Sequence, residues 1–193
     1  SLRRQRQMCI RDSTNKVLKG DGNWGYDELY NANTGDVTAN AADTYLTGSS
    51  VSFAGTIKAK TKYRWRFSYT KTAAGTATPI FNVRIGTAGT TSDTARCTFT
   101  GVAQTGATDT GWADLEVIVR SVGVSGQLQG VIAMHHKNTT TGLANAAQVQ
   151  ILQSLSATFD TTTANTIIGV SCNPGSLGVW TFQVISVEAI NLV

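Results

Sequence analysis

Charge is scarce in this chain: only 15 % of its 193 residues are Asp, Glu, Lys or Arg. Proline occurs twice and cysteine three times, which excludes a Pro-rich linker protein and a disulfide-dense secreted scaffold. No apolar run approaches the eighteen residues a membrane-spanning helix needs, so no membrane insertion is expected. The long, good helix formers are also sparse, and no 10–15-residue amphipathic period of the kind βαβ units require is present. Two histidines, adjacent at 135 and 136, leave little for metal or acid–base chemistry.

Threonine is the commonest residue, and there are 19 glycines. A branched Cβ suits a half-buried pleated surface, and glycine suits tight turns, so the composition points to β structure. The formal charge of +4 invites a nucleic-acid reading, but it is concentrated at one end. Of 16 basic and 12 acidic residues, Arg3, Arg4, Arg6, Arg11 and Asp12 fall within 1–13, leaving 12 against 11. That segment, from Arg3 to Asp12, matches residue for residue the conceptual translation of a transposase sequencing adapter. It is set aside as an adapter-derived artefact, with the natural start expected to lie outside this sequence. No nucleic-acid partner is expected.

Residues 14–43 are polar and turn-rich, with Trp24, Tyr26, Leu29 and Tyr30 as their apolar anchors, and read as an N-terminal arm or linker. A short helical turn fits near 27–31. From residue 44 to 193, strand-like runs alternate with turn clusters. The clearest is 62–71, where Tyr63, Trp65, Phe67 and Tyr69 alternate with Lys62, Arg64, Arg66 and Ser68. Strict period two places the aromatics in a core and the cations on the other face. Further runs cover 45–53, 80–85, 95–100, 112–122, 127–136, 147–159, 166–172 and 179–192. The expectation is an all-β, antiparallel, jelly-roll-like β-sandwich of about eight or nine strands. Few charges or prolines guard the strand ends, so neighbouring subunits are expected to cover some edges.

The motifs that carry chemistry are missing. His135 and His136 point to opposite faces of a strand and cannot readily share a metal. No Gly-x-Ser-x-Gly run is present, and Ser125 and Ser176 sit in turn sequences. Asp114 and Glu116 share a strand face, but in a run that also reads as an ordinary solvated surface. Oxygen-rich turns at 21–23 and 33–36 lack the twelve-residue calcium-loop pattern. The cations of 62–71 lie opposite the aromatics, not beside them as a base-stacking groove requires. The Asn138-Thr139-Thr140 sequon has meaning only in a protein secreted by a eukaryote. Cys97 and Cys172, far apart in strand-like runs, read as small buried hydrophobes in preference to a bridge. Neither a cofactor nor a metal is expected, and the chain reads as a non-enzyme.

Several stretches together resemble a family of phage virion structural proteins. They are Ala42-Asp43-Thr44-Tyr45-Leu46-Thr47-Gly48-Ser49, Tyr63-Arg64-Trp65-Arg66-Phe67, and the segments 70–79, 82–89, 168–175 and 188–192. The resemblance spans most of residues 40–192 and is a pattern of strands and turns. It implies a jelly-roll component of a phage particle, a head fibre, decoration protein or tail-fibre tip, located in the virion. Self-assembly, with a trimer favoured, contact with other virion proteins, and host-surface glycan binding follow from it as expectations. Residues 14–43 would tether the domain, and the loops at 73–78, 86–94 and 136–145, including His136, Lys137 and Asn138, would meet a receptor. The competing reading is a carbohydrate-binding β-sandwich of a secreted bacterial protein. It would use Trp24, Trp112 or Trp180 as stacking platforms, although Trp112 and Trp180 begin strands, where a core position is the commoner fate.

Overall fold

The computed structural model describes residues 17–18, 24–25, 28–33, 35–53, 55–136 and 149–190, all in strands, turns and loops without a helix. Its strands are β1 (Val17–Leu18), β2 (Trp24–Gly25), β3 (Glu28–Asn33), β4 (Val37–Asn40), β5 (Thr44–Tyr45), β6 (Val51–Phe53) and β7 (Lys62–Lys71). They continue as β8 (Ile80–Gly86), β9 (Thr94–Thr100), β10 (Asp109–Ser121), β11 (Gln127–His136), β12 (Val149–Leu155), β13 (Thr166–Asn173) and β14 (Val179–Ile190). β1 and β2 form a two-stranded ribbon; the rest make two antiparallel sheets.

The larger sheet runs β12-β11-β10-β7-β14-β3, with β4 also on β14; the smaller runs β5-β13-β8-β9, with β6 also on β13. The chain crosses between sheets after β4, β6, β7, β9, β12 and β13, which is how a jelly-roll-like sandwich buries one face of each sheet. β7 shows the cause most plainly. Tyr63, Trp65, Phe67 and Tyr69 are buried, while Lys62, Arg64, Arg66 and Ser68 lie on the outer face. Phe67, Tyr69, Phe81, Trp180 and Phe182 form an aromatic layer between the sheets, with Tyr69 and Trp180 stacked at 4.9 Å. Trp65 donates its indole N–H to the Ser49 carbonyl (2.6 Å), and Trp180 donates to Gln104 Oε1 (2.9 Å), so both buried indoles keep a polar partner.

One end of the sandwich is locked by two buried polar side chains. Lys71 falls in the inward phase of β7 and is fully buried, donating its ammonium to the carbonyls of Ala73, Thr105 and Ala107 (2.6–2.9 Å). Burial pulls its pKa below the ordinary lysine value, and the facing Asp109 opposes that. Gln104 donates to the carbonyls of Ala77 and Pro174 while accepting from Trp180. Three connecting segments are thereby tied to one another.

The structure amends several sequence expectations. Twelve strands, not eight or nine, build the two sheets, because β3 to β6 are short pieces that pair along β13 and β14. Part of the stretch read as an arm is sheet: residues 28–33 and 37–40 pair with β14, and a strand replaces the helical turn near 27–31. Leu29 and Val37 pack against the core. Cys97 and Cys172 are free and buried, as their surroundings suggested. Three side-chain hydrogen bonds link the two sheets at or beside their edges. Ser154 of β12 accepts from the Thr98 N–H of β9 (3.0 Å), and Gln150 accepts from Val102 N–H (2.9 Å). On the opposite side Asn31 of β3 donates to the Ser50 carbonyl beside β6 (2.7 Å). Side chains of the same protein thus occupy three main-chain polar groups at or beside the sheet edges.

Candidate functional site

The outward residues of β14, β7, β10, β11 and β12 form one broad face. Cross-strand register arranges it in rows: Val184, Ser68, Trp112 and His135; then Ser186, Arg66, Asp114, Ala133 and Ile151. Next come Glu188, Arg64, Glu116, Val131 and Gln153, and finally Ile190, Lys62, Ile118, Gln129 and Leu155. The middle rows hold a charge belt. Arg64 grips Asp114 through two hydrogen bonds (2.8 and 2.5 Å), Arg66 reaches the same carboxylate at 3.4 Å, and Lys62 pairs with Glu116 at 3.3 Å. The Arg64 guanidinium holds the Asp114 carboxyl below the usual carboxylate range. Both carboxylates considered for acid–base work therefore serve as ion-pair partners. Asp114→Asn should lower stability at pH 7 by about 1 kcal/mol, the pair being partly solvent-exposed. A depressed folded-state pKa gives stability present above the ordinary Asp pKa and lost as pH falls through the folded value. Urea titrations of both proteins should therefore differ at neutral pH and converge in strong acid.

Two apolar regions flank the belt. On one side, Ile118, Val131, Ile151 and Leu155 stand 37–67 % exposed along β10, β11 and β12, and Ile118 and Val131 line a hollow of about 300 Å³ together with Glu116, Gln129 and Gln153. On the other side, Trp112 (44 % exposed) lies flat against His135, with ring centroids 4.2 Å apart and planes within 6°. Beyond the indole, Ser68 is the small floor of a groove of about 430 Å³ whose far wall is Val184. A second hollow of about 370 Å³ opens beside His135 and Thr110. Local sequence explains the platform. Ala113, Leu115, Val117 and Val119 take the inward phase of β10, which turns Trp112 outward with Asp114 and Glu116. At Gly111, a Cβ would run into the His135 carbonyl and the Tyr69 ring, so glycine permits the close approach of β11 that seats His135 on the indole.

The expected binding residues divide sharply. Trp112 is on the surface, as a stacking platform requires. Trp180 is fully buried beside Tyr69 and cannot serve as one, because β14 enters the sheet with that residue in the inward phase. His136 is buried at 7 % exposure and belongs to the opposite phase from His135, and it contributes to the lining of the hollow beside Thr110 and Gly111. Trp24 lies on β2, opposite Leu18. Lys137 and Asn138, with the rest of the 136–145 loop, lie outside the described residues. The loop at 86–94 is fastened by Asp93, which accepts from the Ala88 and Gly89 N–H groups, and the 73–78 loop by Gln104. His135, Ser68, Arg66 and Val184 were not singled out as binding residues from sequence. The phase they share with Trp112 was the available signal for the first three. Among the described residues no group of three or more His, Cys, Asp or Glu side chains could hold a metal ion, and no helix is long and apolar enough to cross a membrane.

No family model matches the chain, and no curated protein matches it. Solved structures give distant likenesses. A peanut lectin solved with a nine-residue peptide is 11 % identical over 84 % of this chain and 97 % of the lectin, at a TM-score of 0.37. The CBM2 module of the evolved Dit of Lactobacillus casei BL23 phage J-1 is 9 % identical over 88 % of this chain and 92 % of the module, at 0.29. A structure of infectious bursal disease virus, Gx strain, is 12 % identical over 87 % of this chain and 44 % of that chain, at 0.24. At such identities and scores these likenesses have no bearing on role.

Proposed function

We propose that this protein is a non-catalytic structural component of a bacteriophage particle, a head-fibre, decoration or tail-fibre protein acting through self-assembly and surface binding. The observation that carries this reading is the exposed apolar corner of Ile118, Val131, Ile151 and Leu155, beside a belt whose positive and negative side chains largely neutralise one another. A surface of that kind is energetically suited to a second copy of itself, since apolar area is buried without stranding charge. Side-chain hydrogen bonds already occupy some main-chain groups at the sheet edges, which favours the face as the place for contact. The resemblance of residues 40–192 to phage virion proteins supplies the setting, the virion, with other particle proteins as partners.

The solution mass of the full chain, from size-exclusion chromatography with light scattering, tests the assembly. Three times the chain mass is the expected result; a monomer at micromolar concentration overturns self-assembly. A second reading, a carbohydrate-binding module of a secreted bacterial protein, is favoured by one observation, the exposed Trp112 held flat by His135.

A further inference from the structure

The groove between Trp112 and Val184 has features that neither side chain explains alone. Cross-strand register places both opposite Ser68, so indole and isopropyl group stand two strand spacings apart, roughly 9.6 Å between backbones. A six-membered ring and its van der Waals shell fit that width. His135 backs one indole face, leaving the other towards the groove. Val184 is present as a wall only because a register shift between Phe182 and Val184 turns it outward, 57 % exposed. Arg66 lines the same groove. Its side chain is 59 % exposed and holds Asp114 only at 3.4 Å, because Arg64 already takes both oxygens of that carboxylate. A guanidinium so loosely engaged keeps N–H donors for an incoming anion.

From this geometry we infer that the Trp112–Val184 groove is a binding site for an acidic saccharide, one pyranose ring stacking on Trp112 while its carboxylate pairs with Arg66. The apolar wall matches the C–H face of a sugar ring, and the Ser68 hydroxyl on the floor matches a ring hydroxyl. Arg66 supplies the preference for charge, since a guanidinium can meet a carboxylate with two parallel hydrogen bonds. The groove is shallow and open, so it suits one residue of an extended polysaccharide and weak affinity per site. Many copies in one particle would raise that affinity through multivalency.

The inference rests on the surface-binding half of the proposed function and is independent of self-assembly, which the solution mass reads separately. The test uses the full chain with a galacturonate trimer and a neutral galactose trimer, followed by saturation-transfer NMR and calorimetry. The acidic trimer should bind about three- to fivefold more tightly than the neutral one, the size expected of one solvent-exposed ion pair. Arg66→Gln should abolish that difference while keeping the neutral affinity. Trp112→Ala should abolish both, with thermal unfolding unchanged. Equal binding of both trimers, or an Arg66→Gln protein that keeps the preference, overturns the acidic assignment while leaving a saccharide site. No binding of either, or binding untouched by Trp112→Ala, overturns the site itself. Val184→Ala, which trims only the exposed far wall and adds no charge beside Arg66, provides a second variant and should weaken both ligands.

Discussion

Replacing Lys71 by methionine should lower the free energy of unfolding by about 3–5 kcal/mol, the scale of breaking a buried, hydrogen-bonded charge. The methionine stem would fill much of the same space, so the loss would come from polarity and not from a cavity. Three carbonyls, of Ala73, Thr105 and Ala107, would lose the donor they converge on, and Asp109 would lose the cation facing it. Urea unfolding should register this as a midpoint lower by more than about 1 M, with an unchanged slope. Lys71→Arg should also destabilise, because a planar fork cannot present donors to three carbonyls arranged around one ammonium. A midpoint unmoved by methionine would mean that the end of the sandwich relaxes to admit water, and the lock described for this region would be wrong.

The second large effect concerns assembly. Leu155→Glu combined with Ile151→Glu should convert the proposed assembly to monomers while leaving the fold intact. Both side chains are exposed, at 50 % and 67 %, and face the uncharged Gln129 and Ala133, so the isolated chain has no need of them as core. Burying a Leu or Ile side chain in an interface is worth about 1.5–3 kcal/mol. Exchanging two of them for carboxylates in every copy should weaken association by about a hundredfold or more. Light scattering would show the mass fall to that of one chain, and circular dichroism should show unchanged strand content. Val124→Glu, at a 76 %-exposed loop position, is the control and should leave the mass as it was. If the doubly substituted protein still assembles, the contact lies elsewhere.

The alternation of 62–71 was enough to orient β7, because a strict two-residue period admits only one buried face. The same logic separated His135 from His136, whereas Cys97 and Cys172 were read as buried from their strand-like surroundings and wide separation in sequence. It could have gone further. Lys71 continues the inward phase of Tyr63 to Tyr69, and Trp112 shares the outward phase of Asp114 and Glu116, so the buried cation and the exposed indole were both written in the period. Trp112 and Trp180 instead look alike as tryptophans at strand starts, and phase alone tells them apart. Other features had no local signature. The bulge that exposes Val184 depends on pairing between β14 and β7, which are more than a hundred residues apart in the chain. The polar stretches at 28–33 and 37–40 become sheet because β14 offers them an edge, a contact of similar range that overrides turn-rich composition.

Ser154, Gln150 and Asn31 bear on how the protein behaves when crowded. An uncovered strand edge invites open-ended polymerisation, in which each added copy exposes a fresh edge and growth has no natural stop. Here the hydroxyl and amide groups that join β12 to β9 and β3 to the β6 side occupy main-chain groups that would otherwise recruit a foreign strand. The patterned outer face is finite in extent, and faces can close into a counted ring. Each main-chain group so occupied is one fewer with which a foreign strand could pair at high local concentration.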